Sequence, residues 1–166
     1  MFDIQKDTGP VLFRKEGGDG MGKASSAVEC FKNGFNCAQA VLASYCEEMG
    51  LDKETGLKLA CPFGAGISRT DNTCGAVIGA IMVIGLKYGK YLPDDNEAKE
   101  KTYKLTQDFI SKFKEMYGTV QCSELIKFNL SKEKDYIAAK EYRVFETLCP
   151  CYVEDAVKIL EDMLTD

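Results

Sequence analysis

From Ala24 onward, apolar side chains recur every three or four positions, the spacing of one face of an α-helix. Ala27, Cys30 and Phe31 share a face that stops at Asn33-Gly34, a helix-ending pair. Asn36, a capping residue type, opens a second helix predicted over 37–49, striped by Val41, Leu42 and Tyr45 and closed by Gly50. Asp52 starts a shorter helix toward Cys61-Pro62. The glycine-containing segment 63–73 reads as a loop. Positions 74–88 are almost uniformly apolar and predict the most buried helix, ended by Gly89. An amphipathic helix is predicted over 95–116, carrying Tyr103, Leu105, Phe109 and Phe113 and stopped by Gly118. A short helix should follow Cys122, another should cover 136–146, and a last one 150–164 carries Val153, Val157, Leu160 and Leu164 at helical spacing. Strand-like alternation is scarce. The expected fold is all-α: a compact bundle of about five to seven helices around a buried, glycine-containing central helix.

The remaining chain features set boundaries. Gly9-Pro10, Gly17-Gly18, Gly20 and Gly22 mark residues 1–22 as a flexible N-terminal extension, with Met21 an alternative start, and 23–166 as a single helical domain. The first residues are polar, with no apolar signal core. The longest apolar run, 74–86, is 13 residues, short of the roughly 20 that span a bilayer. A cytoplasmic protein without a membrane span is the expectation.

The net charge of −5 argues against nucleic acid, whose binders carry a basic stripe. The 166 residues include no His, which removes His-based triads and any imidazole metal ligand from this chain. They include eight cysteines. A cytosolic domain with its own core needs no disulfide staples, so these are core residues, metal ligands or reactive thiols. Cys37, Cys74, Cys122 and Cys149 each fall at or just before a predicted helix start. A helix N-terminus offers free N–H groups and about half a positive charge, which stabilise a thiolate. Four such ends brought together would hold a metal ion or an iron–sulfur cluster. Cys30 and Cys46 read as small core residues, and Cys61 as a packing residue. Cys151 is an alternative to Cys149, because Cys149-Pro150-Cys151 leaves either sulfur free to face the site. There is no C-x-x-C pair, and eight buried core cysteines remain the competing reading. Gly75 and Gly79, four apart on the apolar helix, would let a neighbouring helix or a cofactor approach; Gly75 also leaves room beside a sulfur. The surrounding glycines lack the strand and the Gly-Lys-Ser/Thr ending of a nucleotide loop. Arg69, the one charged side chain near them besides Asp71, reads as a surface or capping residue, or as a counter-charge to bound sulfur.

Asn36-Cys-Ala-Gln-Ala-Val41, Phe63-Gly-Ala-Gly-Ile67, Thr73-Cys-Gly-Ala-Val-Ile-Gly-Ala80 and Gly85-Leu-Lys-Tyr-Gly89 together resemble the C_GCAxxG_C_C family, described as redox-active. The resemblance covers roughly 24–164 and maps the family's cysteines onto Cys37, Cys74, Cys122 and Cys149. The family also resembles the non-haem part of split-Soret cytochromes, which implies iron–sulfur rather than zinc; no C-x-x-C-H is present, so no haem is implied. Three functions follow. The first is electron transfer or redox sensing at a four-cysteine cluster. The second is metal-free thiol–disulfide exchange with Cys74 as nucleophile and a second helix-start cysteine, Cys37 among them, resolving it. The third is a structural zinc module. A redox partner protein is expected in the first two, and a homodimer is compatible with the sequence. No acid–base pair stands out, so no reaction beyond electron or disulfide exchange is assigned.

Overall fold

The computed structural model describes residues 22–164. The predicted extension over 1–22 lies outside them except for Gly22. The described residues are all-α: α1 (Lys23–Lys32), α2 (Cys37–Ala43), α3 (Lys53–Ala60), a 3-10 turn (Cys61–Phe63), α4 (Gly64–Arg69), α5 (Gly75–Tyr88), α6 (Asn96–Tyr117), α7 (Cys122–Ile126), α8 (Glu133–Glu141), α9 (Val144–Thr147) and α10 (Cys149–Met163). Among them no strand occurs, and one isolated antiparallel bridge joins Thr73 to Gln121. No helix among them is long and apolar enough to cross a membrane.

The apolar helix α5 sits at the centre, as its composition predicts. It packs on α2 and α6, and α10 covers α1, α2, α5 and α6. Gly79 is what lets α2 and α5 close up: a Cβ there would come 2.8 Å from the Ala38 carbonyl oxygen and 2.9 Å from Val41 Cβ. Val77, Ala80, Val83 and Ile84 of α5, Phe109 and Phe113 of α6, and Val153, Val157 and Leu160 of α10 are buried together. Burying each such large side chain contributes about 1.5–3 kcal/mol.

Three sequence expectations change. The second helix ends at Ala43 rather than running to 49. Ser44 Oγ donates to the Val41 carbonyl at 2.8 Å, and the chain goes on in i→i+3 bonds from Tyr45 N to Leu42 O and Cys46 N to Ala43 O. The helix expected over 136–146 is two helices, α8 and α9, broken where Arg143 turns left-handed (φ 54°). The loop expected over 63–73 begins on the last residue of the 3-10 turn and is α4 from Gly64 to Arg69, left-handed from Ala65 through Arg69.

Candidate functional site

The four helix-start cysteines are held in different ways. Cys37 is the first residue of α2. Asn36 caps it reciprocally: Gln39 N donates to Asn36 Oδ1 (3.0 Å) and Asn36 N to Gln39 Oε1 (2.9 Å). The same two side chains reach α3 and its end, Asn36 Nδ2 donating to Cys61 O (2.8 Å) and Gln39 Nε2 to Leu57 O (2.9 Å). Cys74 stands at the N-cap of α5. Its N–H donates to Val120 O (2.8 Å), while the Cys122 N–H donates to Asn72 O (3.0 Å), so the small bridge at Thr73–Gln121 ties the two cysteines together. Cys122 is the first residue of α7 and Cys149 the first of α10. Tyr152 on α10 donates from its hydroxyl to Leu125 O on α7 (2.9 Å) and stacks edge-on against Tyr117 at 4.9 Å, which holds those two helix starts side by side.

All four cysteines line one cavity of about 430 Å³. Its walls are largely apolar, with Phe31, Phe35, Leu125, Leu130, Phe145 and Tyr152 among them. Gly75 makes the sulfur end fit. A Cβ there would run into Cys37 Sγ and lie 2.9 Å from Phe63 O and 3.0 Å from Gly64 Cα. Gly79 is a turn away, at the α2–α5 contact, where it lets the two helices approach.

The left-handed turn α4 forms another wall. Ala65 (φ 55°, ψ 44°), Ile67 (φ 57°, ψ 80°), Ser68 (φ 54°, ψ 37°) and Arg69 (φ 64°) are all left-handed, which costs an L-residue about 1–2 kcal/mol each. Ser68 Oγ holds Pro62 O (2.7 Å), Thr70 Oγ1 holds Ile67 O (2.7 Å) and Asn72 N donates to Gly66 O (3.1 Å). Gly66 must be glycine, since its φ is 65° and a Cβ would lie 2.8 Å from Cys122 Cβ. Strain of this kind persists where the surroundings over-determine it. Here it directs the Ala65 N–H to Cys37 sulfur and brings Arg69 to the cavity mouth.

The sulfurs differ in acidity. Cys37 is brought down to about 7, chiefly because the Cys74 thiol donates a hydrogen bond to it. Burial opposes this, and the amides of Ala65 and Ala38 assist. Cys74 is pushed well above the ordinary thiol value by that same hydrogen bond and by burial. Burial, then the charges of Cys37 and Asp71, raises Cys122 to about 12. Cys149 is raised by burial and by the charges of Cys37, Cys122 and Glu146. Among the described residues, no three cysteine or carboxylate side chains gather closely enough to hold a single metal ion.

The other four cysteines lie elsewhere. Cys46 is buried under Gly56, and Cys30 is half-buried on α1. Cys61, expected as a packing residue, is exposed, because the 3-10 turn that begins with it runs along the surface. Cys151 is exposed, with Cys149 lining the cavity. Two residues along a helix are 200° apart, so only one of the pair can face inward. Tyr136 and Lys140 of α8, which also line the cavity, carry no sequence signal for the site; their place follows from the way α8 folds over it.

Neither a curated protein nor a solved structure matches the chain significantly. A family model does, over residues 35–163, which takes in all four cavity cysteines and the strained turn. The chain therefore belongs to the family described as "Putative redox-active protein (C_GCAxxG_C_C)".

Proposed function

We propose that this is an electron-transfer or redox-sensing protein in which Cys37, Cys74, Cys122 and Cys149 hold an iron–sulfur cluster. The observation that carries this reading is the placement of four sulfurs, each from a different helix start, around one cavity of about 430 Å³. An all-thiolate donor set suits such clusters. When bound, the cluster would supply one-electron exchange. The chain's own part is to supply the thiolates, direct the Ala65 and Ala38 amides at Cys37, and keep solvent off with the aromatic walls. Amide hydrogen bonds to ligand sulfur are one lever on potential. The test is anaerobic purification with iron and sulfide analysis and visible absorption. Brown protein with stoichiometric iron and sulfide supports the reading; colourless, iron-free protein after reconstitution overturns it.

One observation favours a second reading, thiol–disulfide exchange. The Cys74→Cys37 hydrogen bond pairs a thiolate with a thiol. On this reading Cys37, held low by the Cys74 hydrogen bond, is the nucleophile and Cys74 the resolving residue, the roles exchanged from the sequence expectation. Cys37 thiolate would attack a partner disulfide and expel one partner thiolate. Cys74, giving up its proton, would then displace the second, leaving a Cys37–Cys74 disulfide and a reduced partner dithiol. Thiol titration before and after mild oxidation distinguishes it: two thiols lost reversibly, and none in Cys37→Ser.

A further inference from the structure

We propose that the outer part of the cavity is a binding site for a small organic carboxylate with an apolar body. The cavity's volume of about 430 Å³ falls within the roughly 300–1,000 Å³ of small-molecule sites. Its lining follows the same pattern, mostly aliphatic and aromatic with few polar groups. Among the described residues, the charged side chains that line it are Arg69 and Lys140, both positive. They lie over one ring: the Arg69 guanidinium and the Lys140 ammonium are each 4.3 Å from the Tyr136 centroid. Neither forms an ion pair within the described residues, although elsewhere on the surface lysines pair readily with carboxylates, as Lys58 does with Glu54 and Lys104 with Asp108.

Arg69 reaches this place on a left-handed backbone at the end of a strained turn, whereas an ordinary surface arginine needs no such support. Two cations on an aromatic post, opening onto an apolar chamber, match a ligand with charge at one end and hydrocarbon at the other. Arginine's planar fork fits a carboxylate with two parallel hydrogen bonds. An inorganic anion would satisfy the cations and leave the apolar walls unused.

This goes beyond the redox reading and stands or falls separately. The test is isothermal titration of the full chain, purified anaerobically, with 2-naphthoate, 2-naphthalenemethanol and inorganic phosphate, and with iron content recorded. One naphthoate should bind per chain, with the alcohol and phosphate each at least about tenfold weaker, the scale of one charge-assisted hydrogen bond. Arg69→Gln and Lys140→Gln should each weaken naphthoate by about tenfold, and Lys58→Gln should leave it unchanged. Lys140 lies on the regular helix α8, so Lys140→Gln keeps the test valid if Arg69→Gln disturbs the turn. No naphthoate binding, equal affinity for the alcohol or for phosphate, or no effect of Lys140→Gln would overturn the proposal. An iron-free, redox-silent protein that binds naphthoate in this pattern would refute the redox reading alone.

Discussion

The contact between Gly75 and Cys37 gives the sharpest test of the site's geometry. Both Gly75 and Gly85 lie on α5, and replacing either with alanine removes backbone freedom from the unfolded chain. In an open helical position that substitution stabilises by about 0.8–1 kcal/mol. Gly85 is such a position, with nothing within 4 Å of an added Cβ. Gly75→Ala meets the Cys37 sulfur and, at 2.9 and 3.0 Å, the backbone at Phe63 and Gly64. The sulfur can swing aside, but the backbone cannot without shifting the strained turn. Overpacking of this kind costs about 1–3 kcal/mol, which outweighs a propensity gain that is also smaller in the first helical turn. Urea denaturation should therefore show Gly85→Ala raising the midpoint and Gly75→Ala lowering it, with a net loss of about 1–2 kcal/mol and an unchanged slope. In iron-free, reduced Gly75→Ala, displacement of Cys37 from Cys74 should also move the pH midpoint of Cys37 alkylation upward from about 7. A Gly75→Ala protein as stable as Gly85→Ala, with its Cys37 titration unmoved, would show that the sulfur does not sit where the cavity requires it.

Cys74→Ala should raise the Cys37 alkylation midpoint from about 7 toward 9.0, read by mass spectrometry at each cysteine, because it removes the largest cause of the lowered value. The sign for stability is the usual one for a depressed acid: what the Cys37 thiolate contributes is complete above pH 9 and fades as pH falls through about 7. Cys149→Ser should abolish iron retention while Cys151→Ser keeps it, measured by iron analysis after anaerobic purification, since only Cys149 borders the cavity. Asn36→Ala should cost about 1–2 kcal/mol in urea denaturation, because it removes both the cap of α2 and the tie to Cys61. Ala65→Gly should raise stability by about 1 kcal/mol in the same assay, since glycine adopts φ 55° without the Cβ penalty.

Those features that depend on neighbours close in sequence were legible there. Periodicity identified α5, α6 and α10, and helix-start residue types marked the four cysteines from within a few positions, although only α2 forms a side-chain cap and α5, α7 and α10 have none. The Gly75 approach was legible as a need for space but not as a partner, since the sulfur it makes room for belongs to Cys37 on another helix. The Cys149–Cys151 choice is open in the sequence because a C-x-C pair leaves either sulfur free to face the site. With Cys149 as the first residue of α10, the two sulfurs point opposite ways.

What was illegible is the left-handed turn. Ala65, Ile67, Ser68 and Arg69 are residues that sequence rules assign to ordinary backbone, and Ile67, being β-branched, is among the least suited to positive φ. No local preference produces that conformation. Contacts distant in sequence hold it: Asn72, which accepts from the Cys122 N–H and donates to Gly66 O, pins one side, and Cys122 packs on Gly66. The turn in turn supplies the Ala65 amide to Cys37 and Arg69 to the cavity mouth. The longest run of left-handed backbone among the described residues thus borders the cavity through Ala65 and Arg69. A turn with no role at the cavity would be free to relax to a cheaper conformation, and this one is held by hydrogen bonds at Pro62, Ile67 and Gly66.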